Sequence, residues 1–419
     1  MHAFAATFST KAHRLFGARG GLAAVAWCAR FRFACTMLLV CFSFSSMQGL
    51  PSLANEPASA EEVSKYVEWI QGAERKLAEG DLAAARELLD KTDPVQRSLE
   101  FDYLGAQIAA MQASEPAMKS PPDLVKVVAR PDVETRYPVM NLTARQIVFI
   151  CRDGSLRVLD LSEPGAKYQT VRGEVESAIW TGVFSDDGKN FVTGNQDGEV
   201  MLWDTETWKV RQTFSLGEAW PVRELAVAPD GSAVVAESKK ELQLWSMAGE
   251  QPEKVAAVGE RYNFGEGLAF SPRGDLIATG GMFDILLHDA KTGELKKELT
   301  HASYTMGLAF SPDGSRIASA PRGNINKFLG VFRVEDGGQV FNAGPFKQHV
   351  VGIAFTPDGK RIIATGRENT VRLFDADTGL VTLTIKRAAA TARPSITSDG
   401  KLLGWYEPDF FCYVEFKEP

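Results

Sequence analysis

Leu308-Ala309-Phe310-Ser311-Pro312-Asp313-Gly314 reads as a short apolar strand running into a polar turn. The same turn recurs as Ser185-Asp186-Asp187-Gly188, Pro229-Asp230-Gly231, Pro272-Arg273-Gly274, Pro357-Asp358-Gly359 and Ser398-Asp399-Gly400. From Gly188 to Gly400 the turn glycines lie 43, 43, 40, 45 and 41 residues apart. An earlier copy lacks the glycine: laying Asn141 to Asp160 on Thr356 to Asp375 puts Ala144 in its place, 44 residues before Gly188. A period of 40–45 residues with short β-branched strands bounded by Gly, Asp and Pro predicts a β-propeller with one four-stranded blade per unit.

The sixth unit shows the anatomy. Val351 to Phe355 is a strand, Thr356 to Gly359 a turn, and strands follow at Arg361 to Thr365, Thr370 to Phe374 and Leu380 to Lys386. Asp-Gly supplies the positive φ of a tight hairpin. The seventh unit ends after three strands, Pro394 to Ile396, Leu402 to Trp405 and Cys412 to Phe416. An orphan strand, Leu124 to Arg130, stands before the first unit and reads much like Leu380 to Lys386. It should complete the last blade and close the ring, removing exposed sheet edges. The fold class is therefore mainly β: a seven-bladed propeller over residues 123–417, closed by an N-terminal strand.

Trp203-Asp204, with the degenerate Phe374-Asp375, Leu159-Asp160, Trp245-Ser246 and His288-Asp289, makes residues 124–416 resemble a WD-repeat propeller. The resemblance implies a non-catalytic binding platform. Blades of that family often carry a Gly-His pair before the first strand; here only His301 falls there, after Thr300. Trp203 has candidate partners in Thr193 and Asp197 instead. Residues 75–110 resemble, more softly, the helical stretch of bacterial exported or kinase-linked WD-repeat proteins.

Ahead of the propeller, Ser59 and Glu62 form a capping box for a helix over Glu61 to Ala78, with apolar residues at Val63, Tyr66, Val67, Ile70 and Ala73. A second helix should run from Leu82 to Asp90, and Asp93-Pro94 should start a third that ends near Met111. Leu77 to Ala85 resembles the turn and second helix of a tetratricopeptide unit. Such a unit cannot bury its own apolar face, so the segment 60–113 should pack on the propeller or on a partner. Residues 114–122 read as a linker.

The chain of 419 residues has net charge −7, but its first 54 residues hold five basic residues and no acid. The remainder, at −12, repels phosphate backbones, which argues against nucleic-acid binding. Basic Arg30-Phe31-Arg32, apolar Phe33 to Phe44 and Ser52-Leu53-Ala54 read as a signal peptide over residues 1–54, or as an uncleaved membrane anchor. The expected localisation is exported, with membrane attachment only through this segment. Cys151 and Cys412 fall in the first and last blades; buried reduced thiols are the plainer reading than a bridge.

His288, His301 and His349 lie in different units without ligand spacing, and no nucleophile elbow, phosphate loop or dinucleotide turn occurs. Asp187, Asp230, Asp313, Asp358 and Asp399 are explained by turn chemistry. No cofactor or metal is implied. In a propeller the loops entering the first strand share a face with the hairpins joining second to third strand. The entering loops carry Trp220, Arg223, Tyr262, Phe264, Tyr304, Phe346 and His349. The hairpins carry Arg152, Lys239, Lys240, Met282, Phe283, Arg322, Lys327, Arg367, Trp405 and Tyr406. Aromatics and arginine dominate protein-interface energetics, although about half of these aromatics should belong to blade cores. The fifth hairpin, Arg322 to Lys327, is the longer loop. The function expected is a non-enzymatic scaffold binding a protein or peptide through this face. Alternatives are a propeller hydrolase or lyase at the central channel, or an envelope-attached structural subunit.

Overall fold

The computed structural model describes residues 58–113 and 124–416, apart from residues 164, 173–176, 218, 261–263, 282, 301–303, 323–327, 367–368, 387–393 and 408–409. The signal or anchor reading of residues 1–54, the linker 114–122, His301, Tyr262, Lys327, Arg367 and Met282 lie outside the described residues.

Seven four-stranded antiparallel sheets follow one another along the chain. The strands of blade 6, Val350–Phe355, Arg361–Gly366, Thr370–Asp375 and Val381–Lys386, match the expected limits to within a residue. Blade 7 is built from Ser395–Ile396, Leu402–Glu407 and Phe410–Glu415, with Lys126–Ala129 pairing outside the last of these in the register Val127 to Cys412. The orphan strand thus closes the ring. First strands of neighbouring blades pack on each other, which puts them around the axis.

Each turn is wired by its own polar residues. The Ser311 hydroxyl donates to Asp313 at 2.6 Å and accepts from the Arg316 amide at 2.9 Å, while Asp313 also accepts from the Ser315 amide. Ser185 and Asp187 repeat the arrangement in blade 2. Gly188, at φ 70°, is also packed hard: a Cβ there would overlap Thr143 and Asn141 of blade 1, and its carbonyl accepts from Asn141 at 3.0 Å. The first blade departs from the alignment, since the left-handed residue of its turn is Arg145, φ 47°, rather than Ala144. The Asp of the Trp-Asp dipeptide is a turn acceptor as well. Asp204, Asp289 and Asp375 each accept from both the amide and the hydroxyl of the Thr three residues later.

Trp203 donates to Thr193 at 2.8 Å; Asp197, its other candidate partner, accepts instead from Ser177. In blade 4, His288 occupies the Trp203 place and lies 3.4 Å from Thr279, the counterpart of Thr193. One apolar cluster fills each seam between successive blades, including the seam from blade 7 to blade 1. Cys151 and Cys412 are both buried and are not disulfide-bonded.

Three helices precede the ring: α1 (Ala60–Ala78), α2 (Leu82–Asp90) and α3 (Leu99–Gln112). The capping box forms as expected. The third helix starts at Leu99, after Ser98, because Asp93-Pro94 is spent on a turn in which Asp93 caps the Val95 amide. The helices belong to the same compact unit as the propeller. Their apolar faces enlarge the cluster at the seam of blades 6 and 7, joining Ile70, Leu77, Leu104 and Ile108 to Ile363, Leu373, Leu403 and Trp405.

A buried ion pair fixes that contact. Arg361 and Glu100, both within 2% of full burial, approach to 2.6 Å. Arg361 also donates to Asp375 at 3.1 Å and to the Gln96 carbonyl at 3.0 Å, and the Tyr66 hydroxyl donates to Glu100 at 2.9 Å. Burial alone would lower the Arg361 pKa; Glu100, Tyr66 and Asp375 outweigh it and hold the guanidinium above its ordinary value. Arg361 follows the Asp358-Gly359 turn, so this lock lies towards the turn end of blade 6, while α1 packs along the outer strand of the same blade, where Gln71 donates to the Val381 carbonyl at 3.0 Å.

Glu100→Ala should cost about 3–5 kcal/mol in urea unfolding, because it strands a buried guanidinium. Limited proteolysis should then cut residues 60–113 before the blades; unchanged stability would remove the pair from its bridging role. His288 supplies a second expectation. Burial lowers its pKa, so the unfolded chain binds the proton more readily and stability falls as pH drops through the ordinary histidine range. His288→Phe, which copies Phe374 at the same place in blade 6, should flatten the fall in Tm between pH 7 and 5 (~1 unit either side of the histidine range). An identical slope in the variant would show that His288 does not set it.

Candidate interaction face

The first strand of each blade starts at the face opposite the Asp-Gly turns. In blades 1, 2, 5 and 6 the register slips there by one residue. A bulge of this kind re-aims a side chain. Aligning the units places Arg136, Trp180 and Arg223 in the same column, in blades 1, 2 and 3.

These three meet. The Arg136 guanidinium lies 3.5 Å from the centre of the Trp180 ring, and that of Arg223 lies 5.6 Å from the same ring. Arg223 is also 5.6 Å from the Trp220 ring, over which Lys239 stands at 5.7 Å. The order is cation, indole, cation, indole, cation. Ring faces carry negative charge density, so each contact is favourable, by about 0.5–2 kcal/mol depending on how far water is excluded. Trp180 and Arg136 are half-buried, and Arg223 is exposed. The Nε1 of Trp180 and the Nε of Arg136 are buried without a hydrogen-bond partner among the described residues. Burial, and after it the charge of nearby Arg152, lowers the Arg136 pKa; arginine remains a cation at neutral pH all the same. The neighbouring Glu134 pairs with exposed Arg152 at 3.1 Å. Neither Arg136 nor Arg223 makes an ion pair with a described carboxylate.

The residues picked from sequence scatter around this cluster. Trp220 and Arg223 belong to it. Tyr304 is half-buried at the start of the first strand of blade 5, opposite Arg322 in the ladder. His349 and Tyr406 are half-buried at the starts and hairpins of blades 6 and 7. Phe346 and Trp405 belong to blade cores. Phe346 stacks on Phe374 at 5.6 Å, and Trp405 is fully buried with its Nε1 donating to Glu407 at 3.2 Å. Phe283 is 64% exposed. Arg136 and Trp180 escaped the sequence reading because both sit inside strands. Their signal is the alignment column, where an apolar strand would not need Arg, Trp and Arg in turn.

The turn carboxylates accept hydrogen bonds within their turns, with Asp399 also 3.9 Å from Arg145 of blade 1, and no group of three or more His, Cys, Asp or Glu that could hold a metal occurs among the described residues. The face offers cations and ring surface.

Comparison with known proteins agrees with the fold. Residues 165–204 and 342–375 match the WD domain, G-beta repeat family, so the chain carries WD40 repeats. It is 28% identical over 169 residues to a serine-threonine kinase receptor-associated protein of Gallus gallus, covering 40% of this chain and 47% of that one. It is 27% identical over 134 residues to Cell division cycle 20.1, cofactor of APC complex, of Arabidopsis thaliana, covering 31% and 29%. The chain spans less than half the length of these curated relatives. Among solved structures, the β-propeller domain of Cps50 (Swd1) from Myceliophteria thermophila superposes with a TM-score of 0.58 at 14% identity, over 70% of this chain and 100% of that one. That likeness concerns the fold alone.

Arg136→Ala should lower stability by about 1–2 kcal/mol through loss of the half-buried Trp180 stack, and exposed Arg223→Ala by the smaller amount of about 0.5–1 kcal/mol. Equal losses would mean that the stack does not depend on Arg136.

Proposed function

We propose that this chain is a non-enzymatic interaction scaffold that binds a protein or peptide through the face opposite its Asp-Gly turns, with blades 1 to 3 as the anchor. The observation that carries the reading is the alternating stack of Arg136, Trp180, Arg223, Trp220 and Lys239. Large rings and guanidinium groups are the residue types that concentrate binding energy at interfaces. A ring of sheets holds them rigidly, so little ordering cost falls on binding. Two relatives are named for association with another component, a receptor-associated protein and a complex cofactor, which fits the same class of role. Tyr304, His349 and Tyr406 would extend the contact around the rim, along with Arg322, Lys327, Arg367 and Tyr262. The basic and then apolar run from Arg30 to Phe44 makes export part of the proposal.

A C-terminally tagged chain, crosslinked in its native cells, tests this. Wild type should capture a partner that the Trp180→Ala, Arg223→Ala double variant loses while keeping its fold by circular dichroism. The same partners recovered with both would overturn binding through this face.

A further inference from the structure

The two halves of the face differ in chemistry. In the alignment column where blades 1 to 3 place Arg136, Trp180 and Arg223, blades 4 to 7 place Glu266, Met306, Val351 and Ala392. The hairpins between second and third strands expose Phe283 in blade 4 and Phe328 in blade 5. The ring-stacked cations gather in blades 1 to 3, and exposed phenylalanines stand beside them in blades 4 and 5. The cationic cluster belongs to a body whose net charge is −12 beyond the first 54 residues, so it runs against the charge of the molecule that carries it.

Two guanidinium groups set the chemistry. Arg136 and Arg223 approach the same indole; neither makes an ion pair with a described carboxylate, and Glu134, the acid near Arg136, is itself paired with Arg152. Stacking on a ring occupies the face of a guanidinium and leaves its N–H edges for an acceptor. Those edges match the two oxygens of a carboxylate or the oxygens of a phosphate ester. A neutral partner seated here would desolvate two cations without compensation, and a basic one would be repelled.

Resting on the loop-face reading above, we infer that the partner segment is acidic. Its side-chain oxyanions are held by Arg136 and Arg223 on either side of Trp180, and an apolar side chain of the same segment lies against Phe283. The oxyanions are Asp and Glu carboxylates, and a phosphate ester in their place is an outcome that the test separates.

A random peptide display library panned against the full chain is the direct experiment, with Arg223→Gln and Arg136→Gln as counter-selections. The expected result is enrichment of Asp and Glu beside an apolar residue. Each glutamine variant should weaken the resynthesised peptides about tenfold, the size of a lost charge-assisted hydrogen bond. Affinity should also fall as salt rises. Resynthesis with phosphoserine in place of the acidic residues identifies the source: tighter binding assigns a phosphorylated partner, and equal or weaker binding assigns carboxylates. Enriched peptides that are neutral or basic, yet still need Trp180, would overturn the acidic inference and leave the loop-face reading standing. No enrichment over the Trp180→Ala, Arg223→Ala double variant would overturn both. Because Arg223 is exposed, its glutamine variant keeps the fold, and thermal melts of both variants check this.

Discussion

The contact on which the architecture turns is the buried pair of Arg361 and Glu100. Each charge would be costly to bury alone, and together they are hydrogen-bonded to Tyr66, Gln96 and Asp375. The pair ties α3 to blade 6, beside the seam of blades 6 and 7 where the helices add their apolar faces to the blade core. From α3 the chain passes on to Lys126–Ala129, the short strand that completes blade 7. A strand of four residues has little hold of its own. Leu124 and Val125, just ahead of it, pack against the same apolar cluster as the helices, so the ring closes next to the place where the helices dock.

Closure has a consequence at the other end. The Asp-Gly turns occupy one side of the propeller, and the starts of the first strands open on the other. The bulges there carry Arg136 and Trp180 in neighbouring blades. Seven apolar seams keep the blades in fixed relation, so a stack that crosses two of those seams is a property of the assembled blades and of no single blade. The half-buried state of Arg136 and Trp180 follows from that placement. The Trp180 ring is approached by the guanidinium groups of Arg136 and Arg223.

Local rules were legible in the sequence. The glycine period gave the blade count, and the likeness of Leu124–Arg130 to Leu380–Lys386 gave the closing strand. Ser59 with Glu62 gave the helix start, because each of these signals lies within a few residues of its effect. What escaped depends on contacts between distant residues or on small backbone choices. Glu100 and Arg361 are 261 residues apart, and nothing in either neighbourhood marks them as partners. Asp93-Pro94 reads as a helix start until the turn it actually makes is known. Arg145 takes the left-handed conformation one place after the aligned Ala144, while its side chain pairs with Glu415 across the closing seam at 2.7 Å. Of the candidate face, Trp220 and Arg223 were visible as loop residues. Arg136 and Trp180 were hidden in strands, and Phe346 and Trp405 looked like rim residues until their burial was seen.

The measurement that bears most directly on the account is hydrogen–deuterium exchange of the full chain with and without its crosslinked partner. Protection should appear at residues 134–137, 179–181 and 222–224, with α1 to α3 exchanging as they do in the unbound chain. Protection confined to the helices, or to the outer strands of the blades, would contradict a binding face built on the Arg136, Trp180 and Arg223 stack.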